Sequence, residues 1–128
     1  MPIRVALVDD YYLIHDTYEY HLHKFDNIMV IAHAMNGQEI VAYCRANPID
    51  VILMDLEMPI MDGVEATALI HTEFPDIGII ALTGFENSER IEAALNAGAC
   101  EYVTKSGNIK ILADAIYKAV GYSTLADS

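Results

Sequence analysis

Two short segments, Val51-Ile52-Leu53-Met54 and Ile79-Ile80-Ala81-Leu82, are apolar at every position. A strand with one wet face alternates in polarity, so unbroken runs of this length are expected where helices cover both faces of a parallel sheet. Other runs of strand length are Ile3 to Val8, Met29 to Ala32, the Ile77 to Leu82 stretch containing the second segment, and the short pair Tyr102-Val103. Between them, apolar residues recur at helical spacing. Ile14, Thr17, Tyr18, His21, Leu22 and Phe25 make one stripe, Ile109, Leu112, Ala113, Ile116, Ala119 and Val120 another, and Ile91, Ala94 and Leu95 a shorter one that stops at Gly98. Helices over Gly37 to Ala46 and Val64 to Glu73 end ahead of Pro48 and Pro75, whose rings cannot continue a helix. Strand and helix therefore alternate along the whole chain. That order specifies an α/β fold with right-handed crossovers and a doubly wound parallel sheet between two helical layers.

The length of 128 residues suits one domain. A hydrophobic fraction of 54% against 20% charged residues excludes a disordered acidic tail, because enough apolar surface is present to offset chain entropy. Nineteen acids against seven Lys and Arg leave a net charge of -12, which argues against direct binding of nucleic acid or an anionic membrane and favours cationic partners. No apolar run approaches the roughly 18 residues of a membrane span, and the start lacks a signal-peptide pattern, so the cytoplasm is expected. Cys44 and Cys100 form no C-x-x-C motif and read as reduced, buried thiols. The five histidines, His15, His21, His23, His33 and His71, contain no i, i+4 pair and read as structural or surface groups rather than metal ligands.

In open parallel sheets, functional groups lie beyond the C-terminal ends of the strands. The first run ends in Asp9-Asp10, the third in Asp55, the fourth in Thr83, and the fifth leads to Lys105. Three converging carboxylates would repel one another, so they imply a hard divalent cation, for which Mg²⁺ is the natural choice. A carboxylate can also act as a nucleophile toward a phosphoryl group once the transferring oxygens are neutralised. Thr83 and Lys105 are suitable groups to bind those oxygens.

Five blocks, Val8-Asp9-Asp10, the stretch from Ile52 to Pro59, Met61-Asp62-Gly63, Ala81-Leu82-Thr83-Gly84 and the stretch from Ala97 to Lys105, together resemble the receiver domain of bacterial two-component response regulators. The resemblance runs from Ile3 to about Val120 and is nearest to NarL-type transcription regulators. It implies a flavodoxin-like, five-stranded sheet in the order 2-1-3-4-5 with five flanking helices. It also implies a receiver over residues 1–121 and a tail or linker start over 122–128.

By the same resemblance Asp55 is the phosphoacceptor, Asp10 a direct Mg²⁺ ligand, Asp9 a water-mediated one, and the backbone carbonyl of Glu57 a further ligand. Thr83 and Lys105 would bind phosphoryl oxygens, and Tyr102 would be the switch aromatic that turns inward behind Thr83. The implied partners are a sensor histidine kinase or phosphotransfer protein, with homodimerisation on phosphorylation through the face at 88–97, 101–104 and 109–120. Such a domain catalyses only its own phosphorylation and dephosphorylation. The chain departs from the family in having Ser106 rather than Pro after Lys105, Gly84 after Thr83, Glu57 and Phe85 two residues beyond Asp55 and Thr83, and Tyr11-Tyr12 after the acidic pair. NarL-type receivers precede a DNA-binding domain, whereas Ser128 comes too early for one; a trimmed chain and a single-domain receiver are the two readings.

Other readings carry different tests. A haloacid dehalogenase-type phosphatase also pairs an Asp nucleophile with Mg²⁺, but its nucleophile lies on the first strand and it would turn over small phosphate esters. A scaffold that works without phosphorylation would not need Asp10, Asp55, Thr83 and Lys105 together. Arg90, the only Arg or Lys between Arg45 and Lys105, marks a candidate partner contact. Met54, Met58 and Met61 read as core and loop packing, and Glu86, Glu89 and Glu92 as a solvated helix start.

Overall fold

All five residues of β3 (Val51–Asp55) are buried, as an unbroken apolar strand requires. The computed structural model describes residues 2–84, 88–105 and 107–121. Expectations for Phe85, Glu86, Ser106 and the tail at 122–128 lie outside the described residues. The other elements are β1 (Ile3–Val8), α1 (Tyr12–Leu22), β2 (Ile28–Ala34), α2 (Gly37–Ala46), α3 (Gly63–Glu73), β4 (Gly78–Thr83), α4 (Ser88–Ala97), β5 (Glu101–Thr104) and α5 (Ile109–Ala119). The strands pair in parallel in the order β2-β1-β3-β4-β5, the doubly wound arrangement expected. No helix among the described residues is long and apolar enough to cross a membrane.

Strand residues alternate between two cores. Ile52 and Met54 join Ile40, Val41 and Ile70 beneath α2 and α3, while Val51 and Leu53 join Tyr18, Leu22 and Ile116 beneath α1 and α5. Met58 and Met61 pack against the first core, as their composition suggested. Among the described residues, side chains close three helix starts: Asn36, Asp62 and Asn108 accept from the backbone N–H of Glu39, Glu65 and Lys110. Gly98 ends α4 at φ +126, and a Cβ there would lie 2.4 Å from His71 Cγ, so only glycine satisfies both the backbone and the neighbour.

Three local expectations need correction. The apolar stripe of α1 predicts a helix through Thr17 to Phe25, but the helix stops at Leu22 and buries His15, Tyr18 and Leu22, with Thr17 exposed. His15 can be buried because both ring nitrogens find partners. Strand β2 is longer than its apolar run, extending over His33 to Ala34. Its register with β1 shifts by one: Val5 faces Val30, yet Ala6 faces Ala32, and Ile31 is the extra residue of a bulge. Cys100, expected to be buried, is exposed, with its thiol donating to the Ile79 carbonyl; Cys44 is buried, and both are free.

Candidate functional site

Asp9 follows the last residue of β1, Asp55 and Thr83 are the last residues of β3 and β4, and Lys105 follows β5. Because the strands are parallel, all four arrive at the same edge of the sheet. There they line a cavity of about 260 Å³, with Asp10 and Glu57 also on its wall. Asp9, Asp55 and Thr83 are buried, Asp10 is exposed, and Lys105 is half-buried. Burial of acids at the end of an apolar strand is costly unless they are compensated.

The compensation is partial. Lys105 Nζ lies 2.7 Å from Asp9 Oδ2 and 3.1 Å from Asp55 Oδ1, so one ammonium serves two buried carboxylates. Carboxylate oxygens of Asp9, Asp10 and Asp55 all fall within 4.8 Å of one another. Burial, reinforced by the neighbouring Asp9 charge, pushes the Asp55 carboxyl up to about 6, against the opposing pull of Lys105 and a 3.4 Å contact from the Glu57 N–H. Burial alone would lower the Lys105 ammonium, but its contacts with Asp9 and Asp55 outweigh that and hold it above the usual lysine value. Three carboxylates against one ammonium leave 3 − 1 = 2 excess negative charges. An all-oxygen donor set with that excess suits a hard divalent cation.

Backbone contacts hold the groups in place. Asp9 N–H donates to Ala34 O, and Tyr11 N–H donates to Asp9 Oδ1 at 2.8 Å. The Lys105 N–H donates to the Thr83 carbonyl at 2.8 Å, tying the ends of β4 and β5 together, and the Tyr18 hydroxyl donates to the Lys105 carbonyl at 3.2 Å. Gly63 opens α3 directly against Asp55: a Cβ on it would lie 2.0 Å from the Asp55 carbonyl oxygen. The next carbonyl, that of Leu56, accepts from Gly63 N–H at 3.1 Å and from an Arg90 Nη at 2.8 Å. Arg90 also pairs with Asp62 at 3.3 Å, bridging α4 to the loop after β3.

The structure therefore brings together Asp9, Asp10, Asp55, Thr83 and Lys105, with Glu57 beside them. Tyr102 lies apart, 39% exposed on β5, beside a groove shared with Ile91 and Leu95 of α4. Two contributors escape assignment to the site from sequence. Arg90 reads in the residue string as an outward contact, whereas it lines the cavity. Asp62-Gly63 has the signature of a turn, and its closeness to Asp55 arises only when the loop after β3 folds back onto the strand end.

Comparison with known proteins gives a consistent result. Residues 5–117 match the response regulator receiver domain model. The chain is 36% identical over 118 residues to the response regulator protein VraR of Staphylococcus aureus, covering 92% of this chain and 56% of that protein. It thus spans about half the length of the curated relatives it matches. A LuxR-family two-component response regulator from Aurantimonas sp. SI85-9A1 superposes with a TM-score of 0.88 at 30% identity, covering 95% of this chain and 88% of that one. A CheY-like receiver domain protein from Methanospirillum hungatei JF-1 gives 0.84 at 28% identity, covering 94% of each chain.

Proposed function

The chain belongs to the response regulator receiver domain family, and on that premise we propose that it is a phosphoacceptor switch in which Asp55 takes a phosphoryl group from a phosphohistidine. The observation that carries this reading is the position of Lys105 Nζ within 3.1 Å of both Asp9 and Asp55, over a cavity where three carboxylates converge. Asp55 supplies the nucleophile: a carboxyl held at about 6 is mostly ionised at neutral pH. An Oδ–P bond forms as the N–P bond of the donor breaks, and the leaving imidazole keeps the electron pair. Asp9, Asp10, Asp55 and the Glu57 carbonyl would hold Mg²⁺, whose charge would neutralise the phosphoryl oxygens. Lys105 then pairs with one phosphoryl oxygen and the Thr83 hydroxyl donates to another.

The switch follows from attachment. Thr83 ends β4 and its carbonyl holds the Lys105 N–H, so a shift of Thr83 toward the phosphoryl group acts on the β5 end as well. Tyr102 pairs with Ala81 across β4 and β5, two residues before Thr83, and turns inward as Thr83 leaves. The α4-β5-α5 face then changes shape and controls homodimerisation and a transcription-regulating, DNA-binding output, the chain itself binding no nucleic acid. The chain works in the cytoplasm, its phosphoryl donor is a sensor histidine kinase or phosphotransfer protein, and its only catalysis is self-phosphorylation and dephosphorylation.

Incubation with Mg²⁺ and acetyl phosphate followed by peptide mass mapping tests the reading. One phosphoryl group on Asp55, absent from Asp55→Ala, is expected. An adduct elsewhere, or one that survives the substitution, refutes it.

A further inference from the structure

Outside the acceptor cavity, His15, His33 and Glu19 form the most organised group of ligating side chains. His15 lies on α1 and is buried, and His33 lies on the edge strand β2. Their Nδ1 atoms are 2.7 Å apart. The other nitrogen of each ring is committed: His15 Nε2 is 2.8 Å from the Asp9 carbonyl oxygen, and His33 Nε2 is 2.6 Å from Glu19 Oε1. A carbonyl and a carboxylate accept hydrogen bonds, so each Nε2 carries the hydrogen. With both Nε2 atoms donating, the two Nδ1 atoms can meet at this distance only across a shared cation, either a proton held on one of the rings or a metal ion.

We infer that His15 and His33 form a binding site for a divalent transition metal ion of the zinc type, separate from the all-oxygen acceptor cavity. Imidazole nitrogens select zinc, copper and nickel over magnesium. The outer contacts fit the assignment, since a metal-bound histidine almost always donates its remaining N–H to a backbone carbonyl or a carboxylate, and here one ring does each. The β2 bulge adds a second, independent observation. Ile28 and Val30 face α1 and α5, and strict alternation would turn His33 to the opposite face, beneath α2. The extra residue Ile31 reverses the pattern, placing Ala32 and Ala34 in the core beneath α2 and His33 against His15. Bulges commonly re-aim a side chain in this way.

Access and geometry are compatible with binding. The His33 side chain is 37% exposed, so water can complete the coordination shell, while His15 provides a buried anchor. Zinc–nitrogen bonds of about 2.0–2.1 Å at a tetrahedral angle place two ligand atoms roughly 3.3 Å apart. The pair must therefore open by about half an ångström, which rotation of the exposed His33 ring supplies. The His15 bond to the Asp9 carbonyl also connects an occupied site to the loop bearing Asp9 and Asp10.

Zn²⁺ titration of the whole chain by calorimetry, with excess Mg²⁺ present, tests the assignment alongside His33→Gln, His15→Gln and Asp10→Ala. One Zn²⁺ site is expected in the unmodified protein, weakened at least about tenfold in His33→Gln and retained in Asp10→Ala. His33→Gln alters an exposed edge-strand residue and keeps the test interpretable if His15→Gln fails to fold. In long-range ¹⁵N spectra, the Nδ1 resonances of both rings should shift on adding Zn²⁺. Absence of Zn²⁺ binding, equal binding by His33→Gln, or loss of the site only in Asp10→Ala would overturn the inference and leave the two rings bridged by a proton alone.

Discussion

Replacing Asp55 with Asn should stabilise the metal-free protein at neutral pH. In the folded chain, burial and the Asp9 charge raise this carboxyl from 3.8 to about 6. A rise of that size makes the ionised form about 3 kcal/mol less favourable when folded than when unfolded. An Asn side chain removes the charge but keeps an oxygen for the Lys105 ammonium and the Glu57 N–H. The pull of Lys105 is already contained in that rise, so only the weaker hydrogen bonding of the amide offsets the gain, leaving a net stabilisation of about 1–3 kcal/mol. The pH dependence is the stricter test. Between 3.8 and about 6 the native state binds the Asp55 proton more tightly than the unfolded chain does, so this group's contribution to stability falls as pH rises. The advantage of Asp55→Asn should be small below 3.8, grow across the interval and level off above it. Urea unfolding followed by circular dichroism in metal-free buffers measures this directly. A difference that stays flat with pH, or an Asn variant less stable at neutral pH, would refute the idea that Asp55 is an under-compensated buried charge.

Mg²⁺ should raise the melting temperature of the unmodified protein, and Asp10→Ala should remove most of the increase, because an ion bound only by the native state stabilises it by an amount that grows with the logarithm of one plus the ratio of free Mg²⁺ concentration to Kd; differential scanning calorimetry over a Mg²⁺ series checks both. Gly63→Ala should cost about 1–3 kcal/mol by overpacking against the Asp55 carbonyl and should slow labelling by acetyl phosphate. Gly84→Ala is its control, since a Cβ there meets nothing within 4 Å, and its stability should stay within about 0.5 kcal/mol of the parent.

The layered fold is legible because burial of both sheet faces leaves a strong mark in the residue string: β3 and β4 are continuous apolar segments, and Pro48 and Pro75 limit the helices α2 and α3 that precede them. The convergence of Asp9, Asp55, Thr83 and Lys105 is legible for a related reason. Parallel strands deliver their last residues to one edge, so the polar groups at the ends of the apolar runs are also the groups that share a cavity. Edge strand β2 is longer than its apolar run suggests because His33 interrupts its hydrophobicity, and the bulge at Ile31 breaks the period-two rule on which such a reading depends. The His15–His33 contact depends on that bulge and on the angle of α1, neither of which is local in sequence. Arg90 is misplaced by sequence because charge alone does not reveal whether a long side chain reaches outward or folds back onto a carbonyl 34 residues away. Gly63 shows the same limit: its turn chemistry is visible in the string, while its 2.0 Å proximity to the Asp55 backbone requires the folded loop.

The doubly bonded Leu56 carbonyl can also serve as an optical gauge. A carbonyl oxygen has two lone pairs, and here one donor comes from the start of α3 and the other from α4. Each donor lowers the stretching frequency of the C=O bond. A single ¹³C label at Leu56 would therefore convert the distance between α4 and the strand bearing Asp55 into an infrared band position, with the Gly63 contact as a fixed reference and the Arg90 contact as the variable. Withdrawal of α4 would move the band upward without any dye, spin label or added side chain near the acceptor.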